Sequence, residues 1–489
     1  MVRDKVYIEK LNDVYLRVSA DPGVKMEISE EFTFKVPGYK FMPTYRNKMW
    51  DGTIKLFNAF NGTLYTGLFH KLLEVCRKRE YEVSFCDFFS SQNQNETSSN
   101  IGYDLAKKYQ TKFEVRDYQN HAVQYAIQNE RGLLVSPTAS GKSFIIYLLA
   151  RYYMDLGKRI LIVVPTTSLV DQMISDFEEY NNGNSLDTYK IRGGIDKNTD
   201  ASLVCSTWQS IYKLDKSWYD QFDVVIGDEC HEFKAKSLIS IMEKLVDCRY
   251  RFGFTGTLDG SKTNELVLIG LFGSTLQVTK TKDLIKNKTL SDFRIKAIGL
   301  QYSDEVRKQN TKLSYLDEID FIVRYEPRNR FIANLAKSLS GNSLILFTYV
   351  EKHGKILLPM IVDKCKEKKD IHFIYGGIGT DERESIRKQV MKSDNNIIVA
   401  SFGTYARGIN IPNLHNIVFA SPYKSKVKNL QSIGRGLRKA EGKDMATLYD
   451  IVDDMSYKKK QNFALRHFLE RVNIYNDEGF DYSIYNYKI

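Results

Sequence analysis

The 489-residue chain reads as an α/β protein: two tandem domains, each a doubly wound parallel sheet, preceded by a small α+β unit and closed by a short C-terminal helical tail. Three observations point there. Short apolar runs recur, each followed by a polar cluster and then by helical spacing, which is the rhythm of buried parallel strands joined by crossover helices. That rhythm begins again from about Ser291. The length also exceeds what one core holds, since single cores stop growing at roughly 250–300 residues. The expected divisions are 1–100, 101–288, 289–456 and 457–489.

Within residues 1–100, alternation in Val6-Tyr7-Ile8 and Val14-Tyr15-Leu16-Arg17-Val18 predicts strands, and Leu68 to Arg79 predicts a helix. Asp51-Gly52 and Asn61-Gly62 are turn signals, so Thr53 to Phe60 is expected as a hairpin strand. Tyr39, Phe41, Tyr45 and Trp50 are interleaved with Lys40, Arg46, Lys48 and Lys55. Aromatic faces stack on bases and cations meet phosphates. The unit is either a nucleic-acid binder, with Arg46, Lys48 and Trp50 among its contacts, or an ordinary small core with a solvated basic edge. Phe88 to Asn100, rich in Ser, Asn and Gln, reads as a polar linker.

The first sheet domain opens with Phe113-Glu114-Val115-Arg116-Asp117-Tyr118-Gln119. Arg116 and Gln119 could clasp an adenine edge, because an amide both donates and accepts. The strand Leu133–Val135 stops at Ser136-Pro137-Thr138-Ala139-Ser140-Gly141-Lys142-Ser143 and gives way to a helix through Ile145, Leu148, Leu149 and Tyr152. Small residues let backbone N–H groups face an anion beside the positive end of the new helix. Lys142 would reach the β- and γ-phosphates, and the Ser143 hydroxyl would ligate Mg²⁺. Ser136 stands where such loops have their first glycine, and Ala139 where another glycine is common.

Further strands end at Thr166-Thr167-Ser168, at Thr207-Trp208-Gln209, at Asp228-Glu229-Cys230-His231 and at Thr255-Gly256-Thr257. In open α/β sheets ligands collect beyond the carboxyl ends of strands, where each of these clusters falls. Asp228 at a strand tip can hold Mg²⁺ through its waters. Glu229 can orient and deprotonate the water that attacks a γ-phosphate.

In the second domain strands are expected at Phe293–Leu300, Ser343–Phe347, Ile371–Tyr375, Ile397–Ala400 and Ile417–Ala420, with no second phosphate loop. It carries Gly403-Thr404-Tyr405-Ala406-Arg407-Gly408-Ile409-Asn410 and Gln431-Ser432-Ile433-Gly434-Arg435-Gly436-Leu437-Arg438. On a helix Gln431, Arg435 and Arg438 share one face. The two guanidinium groups fit arginine fingers for phosphate held by the first domain, or ordinary salt bridges. Beyond Met455, Phe463, Leu465, Phe468, Leu469 and Val472 suit one amphipathic helix. A Tyr-rich tail after it is expected to dock on the second domain.

Lys and Arg total 71 against 60 Asp and Glu, a net +11. That surplus favours a polyanionic partner such as nucleic acid, or is simply a solvated basic surface. Cys76, Cys86, Cys205, Cys230, Cys248 and Cys365 form neither CxxC pairs nor a zinc pattern, and read as reduced thiols. The first residues are charged throughout, unlike a signal peptide. No apolar run approaches the roughly 18 residues of a membrane span. A cytoplasmic protein without a membrane partner is expected.

In chain order RxYQ, PTASGKS, PTTSL, STWQ, DECH, TGT, the TYARGIN block and QSIGRGLR resemble the motif series of superfamily 2 helicases and translocases, on the DExH side, over roughly residues 113–440. The resemblance implies two RecA-like domains with ATP and Mg²⁺ between them. By that likeness Arg116 and Gln119 read adenine, while Ser136, Pro137, Thr138, Ala139, Ser140, Gly141, Lys142 and Ser143 hold phosphate. Ser143 and Asp228 hold the metal, and Glu229 is the catalytic base. Gly408, Gln431, Arg435 and Arg438 complete the nucleotide site. His231 and Thr255-Gly256-Thr257 couple ATP state to domain motion, and Thr166, Thr207 and Thr404 touch the strand. Trp50-Asp51-Gly52 and the ARYYMDLGKRILIVVPTT passage are similar to the UvsW helicase family of T4-like phages. This implies an ATP-dependent DNA helicase or translocase acting on forks, junctions and R-loops in recombination, repair and replication. Its partners would be single-stranded and branched DNA, with RNA–DNA hybrids as further substrates. It would work as a monomer, in the host-cell cytoplasm if phage-encoded. An RNA helicase and the duplex translocase of a restriction system fit the same motor.

Overall fold

The computed structural model describes the chain except residues 1–3, 37, 87–96, 234–235, 259–260, 406–410, 412, 423–432, 435–442 and 444, and the side chains of 262, 380 and 381. It divides into two compact units, residues 1–136 with 141–279, and 280–489 with 137–140.

The chain begins with β1 (Lys5–Lys10), β2 (Tyr15–Ser19), α1 (Pro22–Glu31), β3 (Thr33–Lys35), β4 (Thr53–Lys55), β5 (Thr63–Tyr65), α2 (Phe69–Lys78) and β6 (Glu82–Phe85). Four strands form a sheet in the order β5-β2-β1-β6, and β3 pairs with β4 as a separate antiparallel ribbon. Alternation puts Val6, Ile8, Leu16 and Val18 into one core with Leu68 and Leu72. The strand expected over Thr53–Phe60 stops at Lys55. Leu56 and Phe57 are consecutive and both buried, which a pleated strand with one core-facing side cannot do. The chain turns instead. Asn58 Oδ1 accepts the Phe60 N–H (3.0 Å), leaving the Phe60 ring 95% exposed.

The next elements are α3 (Asp117–Asn129), β7 (Arg131–Val135), α4 (Lys142–Asp155), β8 (Ile160–Val164), α5 (Thr167–Tyr180), β9 (Thr188–Ile191), β10 (Leu203–Thr207), β11 (Val224–Gly227), α6 (Lys236–Lys244), β12 (Tyr250–Thr255), α7 (Lys262–Phe272) and β13 (Thr275–Gln277). The seven strands make one parallel sheet in the order β13-β7-β12-β11-β8-β10-β9. The apolar runs on β7, β8, β10 and β11 are buried throughout because helices cover both faces. The sequence pattern misses β9 and β13, which are short and edge-placed.

The N-terminal sheet is built onto this domain. Asp13 N–H donates to Val246 O (2.8 Å), and the Arg131 guanidinium donates to Asp13 O (2.9 Å). Tyr15 and Tyr65, stacked at 5.2 Å, both donate to Glu243 Oε1 at 2.8 and 2.7 Å. Burial and that carboxylate push both phenols well above the ordinary tyrosine range. A Cβ on Gly67 would collide with the Ile269 carbonyl on α7, so the two backbones touch there. Beneath them the buried Arg251 donates to Met242 O (2.8 Å), Leu245 O (2.9 Å) and Leu271 O (3.0 Å). These carbonyls lie at the ends of α6 and α7, where helix dipoles are negative.

The second unit contains β14 (Asp292–Gln301), α8 (Tyr315–Arg324), β15 (Ser343–Phe347), β16 (Asp370–Ile374), β17 (Asn396–Ser401), β18 (Asn416–Phe419), β19 (Met445–Asp454), α9 (Phe463–Glu478) and β20 (Asp481–Lys488). Its parallel sheet runs β16-β17-β15-β18-β19-β14-β20. The sequence pattern misses β19 because acids interrupt its apolar run, and each acid is paired. Asp450 accepts from Arg471 (2.8 and 2.9 Å), and Asp453 accepts from Arg328 (2.7 and 3.0 Å) and Tyr302 (2.8 Å). The Tyr-rich tail docks on the second domain, as expected, and does so as the edge strand β20, parallel to β14. On the expected face of α9 Phe468 is buried with Leu465 and Val472 packed against its cluster, while Leu469 is exposed. Ile474 and Tyr475 are buried as well. Buried Glu318 on α8 caps α9, accepting from Phe463 N–H (3.0 Å), Ala464 N–H (2.8 Å) and Asn462 Nδ2 (3.0 Å). Among the described residues no helix is long and apolar enough to cross a membrane.

Candidate active site

Beyond the carboxyl end of β7, Ser136 N–H donates to Thr255 O (2.8 Å), tying the loop to β12. The chain then passes through two left-handed residues, Ala139 (φ 67°) and Gly141 (φ 80°). Glycine adopts that region freely, whereas Ala139 does so at a strain of about 1–2 kcal/mol. A Cβ at Gly141 would collide with the Gln119 amide, so the missing side chain lets Gln119 lie across the loop. Gln119 is buried, and its Oε1 accepts Arg116 N–H (3.0 Å) in the box that starts α3. The exposed Arg116 guanidinium reaches the Tyr118 hydroxyl (2.8 Å).

Lys142 begins α4, and its Nζ lies 2.6 Å from Asp228 Oδ1 and 2.7 Å from Glu229 Oε1. Both acids follow β11, and Glu229 takes a left-handed turn (φ 50°). Burial disfavours the charged lysine, but the two carboxylates outweigh it and hold Lys142 above its ordinary range. Burial raises Asp228 despite Lys142. Burial acts on Glu229 in the same sense, yet Lys142 and His231 together hold it well below the usual carboxylate range. In this cluster one cation is shared by two acids.

Thr255 Oγ1 donates to Thr257 O (2.9 Å), which leaves it to accept from His231 Nδ1 at 3.0 Å. That assigns the imidazole proton to Nδ1, 3.4 Å from Glu229 Oε2. The segment after β11 is thereby joined to the segment after β12. Thr257 Oγ1 is buried and has no hydrogen-bond partner among the described residues. Glu229 Oε2 is also buried, with His231 Nδ1 beside it at 3.4 Å. Oxygen donors from a hydroxyl and carboxylates suit a hard cation that keeps most of its waters, so Ser143 and Asp228 fit Mg²⁺.

Thr166 caps α5, accepting Leu169 N–H, and Thr207 at the end of β10 contacts the Ser210 hydroxyl (2.9 Å). Both lie at strand ends of the same sheet as Asp228. In the second unit Thr404 follows β17, and its hydroxyl accepts from Ser401 (2.8 Å). Gly408, Gln431, Arg435 and Arg438 lie outside the described residues. In the N-terminal unit Arg46 and Lys48 are exposed. Trp50 is half-buried, its indole N–H bound to Thr53 O (2.7 Å). Exposed Phe41 and Met49 flank the cations. Sequence reasoning also missed Tyr180, whose hydroxyl lies 2.7 Å from Ser143 Oγ. Nothing in the local pattern marks it, because the pairing joins two helices 37 positions apart.

A phosphate loop and an Asp-Glu pair at the strand ends of one parallel sheet, with a second parallel sheet following, define a superfamily 2 helicase motor. Family models agree. One described as type III restriction enzyme, res subunit, matches residues 112–260, and the helicase conserved C-terminal domain matches 327–440. A third, DNA helicase UvsW, N-terminal, matches residues 5–86. The ATP-dependent DNA helicase uvsW of Enterobacteria phage T4 is 33% identical over 492 residues, covering 96% of each chain. The crystal structure of T4 UvsW superposes over 99% of both chains at 31% identity with a TM-score of 0.51. The chain belongs to the UvsW family of helicases. A more distant relative is the DNA 3'-5' translocase XPB2 of Sulfurisphaera tokodaii, 25% identical over 70% of this chain and 82% of its own.

Proposed function

We propose that this chain is an ATP-dependent DNA helicase or translocase that unwinds or branch-migrates forks, junctions and R-loops in recombination, repair and replication. The observation that carries this is Lys142 clamped between Asp228 and Glu229 at the tips of a parallel sheet, in a chain whose relatives are named DNA helicase and DNA translocase. Those names favour DNA over RNA.

When ATP binds, Lys142 exchanges its carboxylates for phosphate oxygens, and the loop from Ser136 to Ser143 presents its backbone N–H groups to the phosphates. Ser143 and Asp228 would hold Mg²⁺, which would supply charge neutralisation at the phosphate oxygens. Glu229, freed from Lys142, takes the proton of the attacking water. Gln119 and Arg116 meet the adenine edge. Arg435 and Arg438, with Gln431 and Gly408, complete the site from the second domain. His231 and Thr255-Gly256-Thr257 pass the change on, and Thr166, Thr207 and Thr404 hold the strand. Arg46 and Lys48 contact duplex arms. The protein acts as a monomer in the host cytoplasm.

The test measures ATPase stimulated by single-stranded DNA, forked DNA and RNA, beside strand separation, for the full chain and for Arg46→Glu/Lys48→Glu. Both residues are exposed, so folding is spared. Fork and junction unwinding should fall several-fold at low salt, the gap from wild type narrowing as salt rises, with single-strand-stimulated ATPase retained. Equal unwinding by the variant would remove the N-terminal unit from substrate contact, and stimulation by RNA alone would overturn the DNA assignment.

A further inference from the structure

Tyr180 closes α5, and its hydroxyl meets Ser143 Oγ on α4 at 2.7 Å. The ring is held from several directions. Phe144 lies 5.0 Å away centroid to centroid, Tyr147 5.6 Å and Phe113 5.7 Å, all edge-on. The Tyr180 carbonyl accepts Lys112 N–H (3.1 Å), and the next residue, Asn181, takes hydrogen bonds from Tyr147 (3.2 Å) and Arg151 (2.8 Å) of α4. Two helices and the segment before α3 therefore place one phenol oxygen against one serine hydroxyl.

Serine is an awkward metal ligand. Its oxygen must turn a lone pair toward the cation, so its proton has to point elsewhere, and a freely rotating hydroxyl spends much of its time misdirected. A fixed acceptor at hydrogen-bond distance removes that freedom, as outer partners of metal ligands do generally. We propose that Tyr180 is a positioning residue for the cation site: its phenol oxygen accepts the Ser143 proton and holds the serine lone pair toward Mg²⁺. This rests on the assignment of Ser143 as a Mg²⁺ ligand above.

The geometry permits the opposite polarity, in which the Tyr180 O–H donates to Ser143 and competes with the cation, and the two differ in sign. Tyr180→Phe keeps the ring among Phe113, Phe144 and Tyr147 and deletes only the oxygen. The measurement is binding of a fluorescent ADP analogue, mant-ADP, to the full chain, titrated with Mg²⁺ and repeated in EDTA, with a melting temperature on the same preparation. Tyr180→Phe should weaken the Mg²⁺ dependence about 10-fold or more and leave EDTA binding unchanged. Ser143→Ala should lose the Mg²⁺ dependence outright. If Ser143→Ala loses it while Tyr180→Phe binds like wild type or more tightly, the positioning role is overturned and the ligand assignment stands. If Ser143→Ala retains the full Mg²⁺ dependence, the ligand assignment itself falls and the role of Tyr180 goes with it. Equal weakening of Tyr180→Phe with and without Mg²⁺ would mark a packing role and also overturn the proposal.

Discussion

Lys142→Ala should do more here than remove a phosphate contact. Lys142 is the cation shared by Asp228 and Glu229 at 2.6 and 2.7 Å. Removing it leaves two adjacent carboxylates with His231 as their nearby basic group among the described residues. Breaking a buried ion pair from one side destabilises by about 3–5 kcal/mol. These side chains keep 17%, 6% and 24% of their exposure, so solvent relieves part of that, and about 2–3 kcal/mol is expected near pH 8. The sign of the pH dependence follows from the shifts. In the wild type Glu229 is depressed, so its contribution is present above its unfolded pKa and lost as pH falls through the folded value. Asp228 is raised, so its contribution favours the fold at low pH and is lost as pH rises. Lys142 is raised, and its contribution is lost only in strong alkali. Without the lysine both acids move up through burial and mutual repulsion. The mutant is then penalised most at alkaline pH and recovers as one acid takes a proton. Urea denaturation of both proteins near pH 8 and near pH 5.5 should show a stability gap that narrows at the lower pH. A gap that stays constant, or widens on acidification, would refute the shared-cation account of the site.

Glu229→Gln keeps the shape of the site and removes the base. ATP should bind and persist, with turnover down about 10²–10⁴-fold in a single-turnover assay, and failure to bind ATP would make Glu229 structural. Glu318→Ala leaves two backbone N–H groups and an amide at the start of α9 without their acceptor. Denaturant unfolding should register about 2–4 kcal/mol of lost stability, while Glu318→Gln, which keeps one acceptor, should lose less.

The strands that carry the site were legible because parallel strands covered on both faces must be continuously apolar, and the polar residues that end them then stand out. Ser136, Thr166, Thr207, Asp228 and Thr255 were all readable that way. What escaped was set by pairing at a distance. β19 hides Asp450 and Asp453 in its core-facing positions, and only Arg328 and Arg471, far along the chain, make them tolerable. On α9 the expected Leu465, Phe468 and Val472 do pack on the core, but Leu469 faces solvent and Arg471 is buried by its partnership with Asp450. The large ring of Trp50 among cations was legible, but not the Thr53 carbonyl that holds its indole N–H. Tyr180 had no local signature at all.

The N-terminal unit has a consequence for coupling that its composition alone did not suggest. It grips the first sheet domain at Arg131, which opens β7, and along α7, which follows Thr255-Gly256-Thr257 in the chain. β7 runs from that grip directly into the phosphate loop. The exposed Arg46 and Lys48 therefore belong to the same compact unit as Lys142, Asp228 and Glu229, and their core is continuous with that domain's core. A substrate arm held by the N-terminal unit is held by the body that contains Lys142, Asp228 and Glu229. Truncating residues 1–100 would also strip a face that packs on α7 and Glu243, losing stability together with any reader function, whereas surface charge reversal separates the two. The close backbone contact at Gly67 is what a fixed mount requires, since any larger residue would force the two parts apart.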